Sequence, residues 1–127
     1  MNVLDENIST IQRQLLRGWH IPVRHIGYDV GRKGMKDDEI IPLLTFRQPT
    51  FFTLDWDYSE RGLCHARYCL VYLDVSRDET AIFIRRLLRH QEFDTHAKRR
   101  GAVMRVSYAG LFVWRLHAQK EAYLGWV

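Results

Sequence analysis

Two carboxylates separated by one residue, Asp55 and Asp57, are the side chains of this sequence best placed to do chemistry. They follow the apolar, β-prone residues Phe51 and Phe52, so we expect both acids where a buried strand opens into a loop. In folds that alternate strands and helices, ligands bind outside the carboxyl ends of the strands. The position of the pair therefore indicates a functional site.

Acidic residues also occur in two earlier groups. Asp5 follows a short apolar run, and Asp37 begins the acidic triplet 37–39. Right-handed crossovers place all strand carboxyl ends at one edge of a parallel sheet, where Asp5 and the later pair can meet. Carboxylates gathered in one pocket repel each other unless a cation binds between them. Oxygen ligands favour magnesium or manganese over zinc, so we expect one of these two metals.

The elements that must position these acids alternate between strands and helices. Ile8, Ile11 and Leu15 recur at helical spacing and predict an amphipathic helix between strands over residues 1–4 and 21–26. The order strand, helix, strand is typical of a parallel sheet joined by right-handed crossovers.

The same signals continue to residue 116. They predict a helix, two strands, a helix and a closing hairpin, over residues 37–46, 50–54, 69–73, 79–93 and 102–116. We therefore predict a single domain over residues 1–127, with an α/β fold in which helices flank a central, mainly parallel sheet. The apolar tail, residues 123–127, is expected to pack back onto the fold or to contact a second copy in a homodimer.

Composition favours a polyanionic partner and a reducing compartment. The formal net charge is +4, and arginines gather after residue 84. Cys64 and Cys69 are too few for a disulfide framework and lack the spacing of a structural zinc site. No apolar run approaches the roughly 18 residues that span a bilayer, and the sequence starts without the basic region of a secretion signal. We expect a cytoplasmic protein without membrane contact.

Three stretches of the sequence resemble, in order, the three motifs of PIN-like domains. They are VLDEN at residues 3–7, KDDEI at 36–40 and TLDWDY at 53–58, and the resemblance is to a small bacterial group classed with VapC-type toxin ribonucleases. It implies a Rossmann-like three-layer sandwich with an acidic pocket that binds magnesium or manganese and hydrolyses RNA. It also implies a toxin that a small antitoxin protein holds inactive.

The resemblance assigns roles to individual side chains. Metal binding and catalysis would fall to four carboxylates: Asp5, Asp37, Asp55 and Asp57. Thr53 would orient Asp55 through a hydroxyl hydrogen bond, and Asn7 would brace Asp5.

Two departures from the family pattern bear on Asp37. Lys36 stands where the family more often has a small capping residue, and Pro42 interrupts the helix that should aim the Asp37 carboxylate. Asp38 and Glu39 therefore remain open as substitutes for Asp37 in the acidic set.

Residues just after the acidic pair are placed to contact an RNA substrate. Arg61, His65 and Arg67 are close enough in sequence to reach a phosphate, and Trp56 or Tyr58 can stack on an unpaired base. Tyr58 occupies the aromatic position of the resembled motif, where packing in the fold is the favoured interpretation. A second basic group either follows the RNA backbone or forms a solvated face: Arg85, Arg86, Arg89, Lys98, Arg99 and Arg100.

Two other functions stay open. Residues 51–59 also fit the strand and Asp-x-Asp-x-Ser motif of haloacid-dehalogenase-like phosphatases, which would make Asp55 the nucleophile and Asp57 the general acid. That motif normally opens its fold, and the chain after Asp57 is short for the rest of such a domain. The other alternative is a module that binds a metal or a partner without turnover, through its apolar tail and basic helix.

Overall fold

A seven-stranded mixed sheet forms the centre of the computed structural model, which describes residues 1–126. The strands are β1 (Asn2–Leu4), β2 (Arg24–His25), β3 (Thr50–Thr53), β4 (Cys69–Asp74), β5 (Ala102–Ser107), β6 (Gly110–Arg115) and β7 (Ala122–Gly125). They lie in the order β2-β1-β3-β4-β5-β6-β7, parallel from β2 to β5 and antiparallel from β5 to β7. The predicted α/β class, the mainly parallel sheet and the hairpin of β5 and β6 are confirmed.

Four helices and three short 3₁₀ turns connect the strands. The helices are α1 (Thr10–Gly18), α2 (Asp37–Arg47), α3 (Thr80–Arg89) and α4 (His96–Arg99), and the turns are Trp56–Ser59, Arg61–Leu63 and Arg77–Glu79. Pro42 lies within α2, and the helix continues through it, so the expected interruption is wrong. None of the helices in residues 1–126 is both long and apolar enough to cross a membrane.

The two phenylalanines of β3 show how the sheet is buried on both faces. Successive side chains of a strand point to opposite faces, so Phe52 packs with Leu16 of α1 and Ile84 of α3, while Phe51 packs with Ile40 of α2. Both phenylalanines are fully buried. The continuous apolar run that predicted β3 is therefore explained by a sheet covered by helices on both sides, in three layers.

Two strand predictions differ from the structure. β2 contains only Arg24–His25 instead of residues 21–26, and Pro22 has no N–H to donate to a strand ladder. The apolar tail forms β7, a strand that the sequence analysis did not predict, and it packs back by pairing with β6. Residue 127 of that tail lies outside the described residues.

Arg99, predicted as part of an exposed basic segment, is a buried structural residue of α4. It is 3% exposed, its Nε donates to Thr50 Oγ1 at 2.9 Å, and its Nη1 donates to the backbone oxygen of Phe93. These bonds attach α4 to the first residue of β3. Both residues are shielded from water; Arg99 is the donor to the Phe93 oxygen, whereas Thr50 Oγ1 also lies 3.4 Å from His96 Nδ1.

We expect Arg99→Ala to lower the free energy of unfolding by about 2–4 kcal/mol, because it leaves two buried acceptors without this donor and opens a cavity. Arg100→Ala, at the exposed neighbouring position, should change the same quantity by less than about 0.5 kcal/mol. Urea denaturation followed by circular dichroism measures both. Equal effects of the two substitutions would contradict the structural role of Arg99.

Candidate active site

The candidate site lies where the order of the strands reverses. From β1 the chain passes through α1 to β2 on one side, whereas β3 pairs on the other side of β1. Because α1 and α2 pack on opposite faces of the sheet, a crevice opens beyond the carboxyl ends of β1 and β3. Asp5 directly follows β1 and Thr53 ends β3, so both residues lie at this crevice.

Asp37, Asp55 and Asp57 form the acidic cluster of the crevice. Each offers one carboxylate oxygen that lies within 4.8 Å of the others. Asp37 is the first residue of α2, where the helix dipole favours a negative charge. Asp55 precedes the turn Trp56–Ser59, and its Oδ1 accepts the backbone N–H of Asp57 at 3.0 Å. This hydrogen bond fixes the turn that brings both carboxylates towards Asp37.

Asp5 lies beside this acidic cluster but, among the described residues, is not one of its members. It is 8% exposed, its Oδ2 accepts the Thr53 hydroxyl at 2.7 Å, and its Oδ1 accepts the backbone N–H of Glu6 at 2.7 Å. Burial raises the pKa of Asp5 above its ordinary value and outweighs these two hydrogen bonds, which lower it. The charges of Asp55 and Asp37 raise the pKa further.

The Thr53 hydroxyl bonds Asp55 as predicted, but at its backbone N–H, whereas Asn7 does not bond the predicted Asp5 directly. The Thr53 hydroxyl donates to Asp5 and accepts the backbone N–H of Asp55 at 2.9 Å. A hydroxyl has one proton to donate, so Thr53 orients the Asp5 carboxylate and not that of Asp55. Asn7 accepts the backbone N–H of Leu54 at 3.2 Å and donates to Thr53 Oγ1 at 3.4 Å. Asn7 therefore braces the end of β3 and acts on Asp5 only through Thr53.

Tyr58, for which the sequence left both substrate contact and packing open, is buried and positions Asp37. It is 2% exposed, and its ring packs edge-on against Phe51 with 5.2 Å between centroids. Its hydroxyl donates to Asp37 Oδ1 at 2.7 Å. Burial, followed by the Asp37 carboxylate, raises the pKa of Tyr58, so the hydroxyl keeps its proton and remains a donor. The sequence could locate this aromatic residue but not the direction of its side chain.

His25 of β2, which the sequence analysis did not single out, supports the backbone of Asp5. It is fully buried, and its Nε2 lies 3.1 Å from the backbone oxygen of Asp5. Because a carbonyl oxygen can only accept, Nε2 carries the proton. Burial, followed by the charge of Arg13, lowers the pKa of His25 and favours the neutral ring. No spacing signal marks this contact, which arises from the pairing of β1 with β2.

The two acids that follow Asp37 have other positions. Asp38 is exposed and lies outside the acidic cluster of the described residues. Glu39 pairs with Arg32, and its Oε1 accepts the backbone N–H of Lys36 at 3.5 Å. Glu39 thus caps the start of α2. The lysine at position 36 thus does not prevent Asp37 from joining the acidic cluster. Neither Asp38 nor Glu39 takes the place of Asp37 there.

The predicted substrate-contacting residues are distributed over different surroundings. Arg61 lines a cleft beside the turn Trp56–Ser59. His65 stacks on Tyr68 with 5.1 Å between ring centroids, and its Nδ1 accepts the backbone N–H of Arg67. Of the three predicted basic residues, Arg61 is therefore the best placed to contact a substrate.

The later basic group is divided between two parts of the fold. Arg85 and Arg86 of α3 lie over aromatic rings, on the face of the sheet that α1 and α3 cover. Lys98 pairs with Asp94 at 2.8 Å, and the buried Arg99 contacts the start of β3. The acids lie beyond the carboxyl end of β3, whereas α4 contacts the amino end of the same strand, so α4 and the acids are at opposite ends of the strands.

The donor set of the acidic cluster fits a hard divalent cation. Its ligands are all oxygen atoms, and two oxygens on opposite sides of magnesium lie about 4.2 Å apart. Oxygens within 4.8 Å of each other therefore need only a small shift. Asp37 and Asp57 are exposed and Asp55 is half-buried, so a cation can reach them. A cleft of about 340 Å³ opens beside them, lined by Asp37, Ile41, Asp57, Tyr58, Glu60, Gly62 and Leu63.

Fold and site together define an α/β protein with an acidic crevice at the reversal point of a mixed, mostly parallel sheet. Comparison of the chain with protein-family models, with curated proteins and with solved structures finds no match. The function is therefore inferred from the chemistry of the residues in this crevice.

Substitution of Asp5 should change how stability depends on pH. A raised pKa means that the folded protein binds this proton more tightly than the unfolded chain, so ionisation of Asp5 costs stability as pH rises above about 4. Asp5→Asn removes this cost. We expect its Tm, relative to that of the wild type, to increase between pH 4 and pH 8 when both are measured in EDTA.

Asp38→Asn is the control, since it removes the same formal charge from an exposed position. Its Tm difference from the wild type should stay nearly constant over this pH range. A difference for Asp5→Asn that stayed constant or fell with pH would contradict the raised pKa of Asp5.

Proposed function

We propose that this protein is a PIN-like endoribonuclease that depends on magnesium or manganese and hydrolyses RNA phosphodiester bonds. The observation that carries the proposal is the convergence of Asp37 from α2 with Asp55 and Asp57 after β3, with carboxylate oxygens within 4.8 Å. Their place beyond the carboxyl ends of the central strands supports it, since ligands bind there in such folds. The ordered motifs in residues 3–58 support the same class.

The charge of the crevice supports metal dependence. Asp37, Asp55 and Asp57 would hold the cation, with Asp5 adding a further carboxyl group beside them. Without a counter-charge these groups would repel an RNA phosphate. When bound, the ion neutralises charge at the phosphate and acidifies a water molecule. The net charge of +4 on the whole chain favours approach of a polyanion.

Neutral donors hold the acids in position for this chemistry. Tyr58 fixes one oxygen of Asp37, and Thr53 joins the Asp5 carboxylate to the backbone of Asp55. Neither donor carries a charge that would compete with the cation for the carboxylates. The site is therefore held by hydrogen bonds that leave its negative charge available.

The biological role that fits this activity is that of a bacterial toxin acting in the cytoplasm. A small antitoxin protein would cover the exposed carboxylates of Asp37 and Asp57 and exclude RNA from the crevice. The basic net charge suits both an RNA substrate and an acidic partner. Expression of the active protein alone would then inhibit growth, whereas an inactive variant would not.

A phosphatase of the haloacid-dehalogenase-like class would use the same residues differently. Asp55 would attack phosphate, so beryllium fluoride, which mimics a phosphoaspartate, should bind at Asp55. The participation of Asp37 from a separate helix favours a shared metal site over this arrangement. Failure of beryllium fluoride to bind, together with RNA cleavage, would separate the two activities.

Purified protein with manganese should cleave RNA, and Asp55→Asn should lower the rate by at least about 100-fold. This exceeds the 10- to 100-fold effects typical of residues that only support a metal ligand. Asp37→Asn should act similarly, because its carboxylate belongs to the same acidic cluster. The measurement is the cleavage rate of a labelled RNA under single-turnover conditions.

Asp38→Asn is the matched control for Asp37→Asn, since it makes the same change one residue away at an exposed position. It should keep cleavage within about 3-fold of the wild type, because a surface substitution away from the ligands has little effect. Absence of cleavage by the wild type with either metal would overturn the proposed function. Equal losses in Asp37→Asn and Asp38→Asn would overturn the role of the acidic cluster.

Tyr58→Phe keeps the ring and removes the hydrogen bond to Asp37. We expect the manganese concentration for half-maximal cleavage to rise by about 10-fold, as for other partners of metal ligands, with the rate at saturating manganese nearly unchanged. Tyr108→Phe, which removes a hydroxyl bonded to Glu79, is the control and should leave the manganese dependence unaltered. A lower saturating rate without a change in manganese dependence would contradict the positioning role of Tyr58.

A further inference from the structure

A second cleft, distinct from the one beside Asp37, opens on the other side of the turn Trp56–Ser59. It has a volume of about 200 Å³ and lies between this turn and the side chains of β5 and β6. Arg105, Phe112 and Trp114 line it from those strands and are only partly buried. Leu44 of α2 packs with Phe51 of β3, so α2 covers the near half of this sheet face and leaves the far half, at β5 and β6, accessible.

Aromatic rings and guanidinium groups alternate in this cleft. The Arg61 guanidinium carbon lies 4.8 Å from the centroid of the Trp114 ring, and that of Arg105 lies 4.0 Å from the Phe112 ring. Stacking on a ring restricts a guanidinium group while its N–H donors stay available at the edge. The cleft therefore presents flat apolar surfaces together with positioned cationic donors.

Arg61 still has donors to offer in this cleft. Among residues 1–126 it takes part in no ion pair, and its Nη2 donates to the backbone oxygen of Ala118 at 3.3 Å. Arg105 pairs with Asp74 at 3.3 Å on a partly exposed surface, where an ion pair contributes little. Both guanidinium groups can therefore contact a phosphate.

Trp56 connects this cleft to the acidic cluster. It lies between Asp55 and Asp57 in sequence, it lines the second cleft, and it is 64% exposed. A large aromatic ring that is this exposed gains little from packing in the fold. Its exposed surface instead offers a platform on which another flat ring can stack.

The dimensions and chemistry of the cleft favour one unpaired nucleobase. A volume of about 200 Å³ is smaller than the roughly 300–1,000 Å³ of pockets that enclose a drug-sized ligand. Exposed aromatic rings interleaved with arginines are the features by which proteins bind single-stranded nucleic acid. The bases of a duplex are already paired and stacked, so they cannot enter such a cleft.

We propose that this cleft, named here the base cleft, binds an unpaired base of single-stranded RNA against Trp56, with Arg61 and Arg105 at the neighbouring phosphates. The assignment of RNA as the ligand rests on the proposed ribonuclease function, because an RNA strand bound at Trp56 would continue to Asp55 and Asp57, the acids that flank Trp56 in sequence. The proposal places the path of the RNA strand across the turn Trp56–Ser59.

Stacking, and not charge, supplies most of the binding at the base cleft. Glu60 and Glu121 also line it and offset the two arginines. Contact with two phosphates predicts a slope of about −1.4 for the logarithm of the binding constant against the logarithm of salt concentration. Arg61→Ala should reduce the magnitude of this slope by about 0.7.

The test is binding of a fluorescein-labelled single-stranded RNA by full-length protein in EDTA, measured by fluorescence anisotropy. Trp56→Ala should weaken binding by about 5- to 100-fold, the loss expected for one base stacked on an aromatic ring. Phe46→Ala removes an aromatic residue that is 79% exposed at the far end of α2 and should leave binding unchanged. A duplex of the same sequence should bind much more weakly than the single strand.

The base cleft is overturned if Trp56→Ala binds single-stranded RNA as tightly as the wild type. It is equally overturned if duplex and single strand bind alike, if no RNA binds either in EDTA or, with manganese, to the Asp55→Asn variant, or if Trp56 is needed only for a complex with a protein. Binding that depends on Trp56, without cleavage in manganese, would overturn the proposed ribonuclease function and support the base cleft. Cleavage of single-stranded RNA that is unaffected by Trp56→Ala would do the reverse.

Discussion

The hydrogen bond from the Thr53 hydroxyl to Asp5 is the interaction on which the geometry of the crevice depends. It joins the ends of β1 and β3, the two strands between which the crevice opens, in a buried position at 2.7 Å. A hydroxyl has one proton to give, so its donation to Asp5 leaves the Asp55 carboxylate to be fixed by the backbone of Asp57. Asp5 is thereby held as a buried carboxyl group, while the acidic cluster stays open to solvent.

Negative charge is the second constraint, because four carboxyl groups lie around one edge of the sheet. Two features reduce the cost of placing them there: Asp37 sits at the positive end of a helix, and Tyr58 donates a neutral hydrogen bond to it. Asp5 accepts hydrogen bonds from Thr53 and Glu6, but burial outweighs them and its pKa is raised. A cation bound in the crevice would offset this negative charge, which links the electrostatics of the fold to the proposed chemistry.

The third feature is that α2 covers only part of its face of the sheet. Because β5 to β7 extend the sheet beyond that helix, the turn Trp56–Ser59 has a cleft on each side. One is acidic and adjoins Asp37, and the other combines aromatic rings with arginines. A single turn therefore carries Asp57, adjoins Asp55 and separates two chemically different surfaces. An RNA strand that follows the proposed path over the acids would contact both surfaces.

The sequence by itself determined the α/β class, the mainly parallel sheet and the positions of Asp37, Asp55 and Asp57 at element ends, because apolar periodicity and strand ends are local properties. Only the tertiary structure decided which partners the side chains take. Thr53 serves Asp5, Tyr58 and Arg99 turn inward, and the tail becomes β7, since each outcome depends on contacts between residues far apart in the chain. Such contacts follow from the order of the strands in the sheet and the packing of helices on it, which no local pattern specifies.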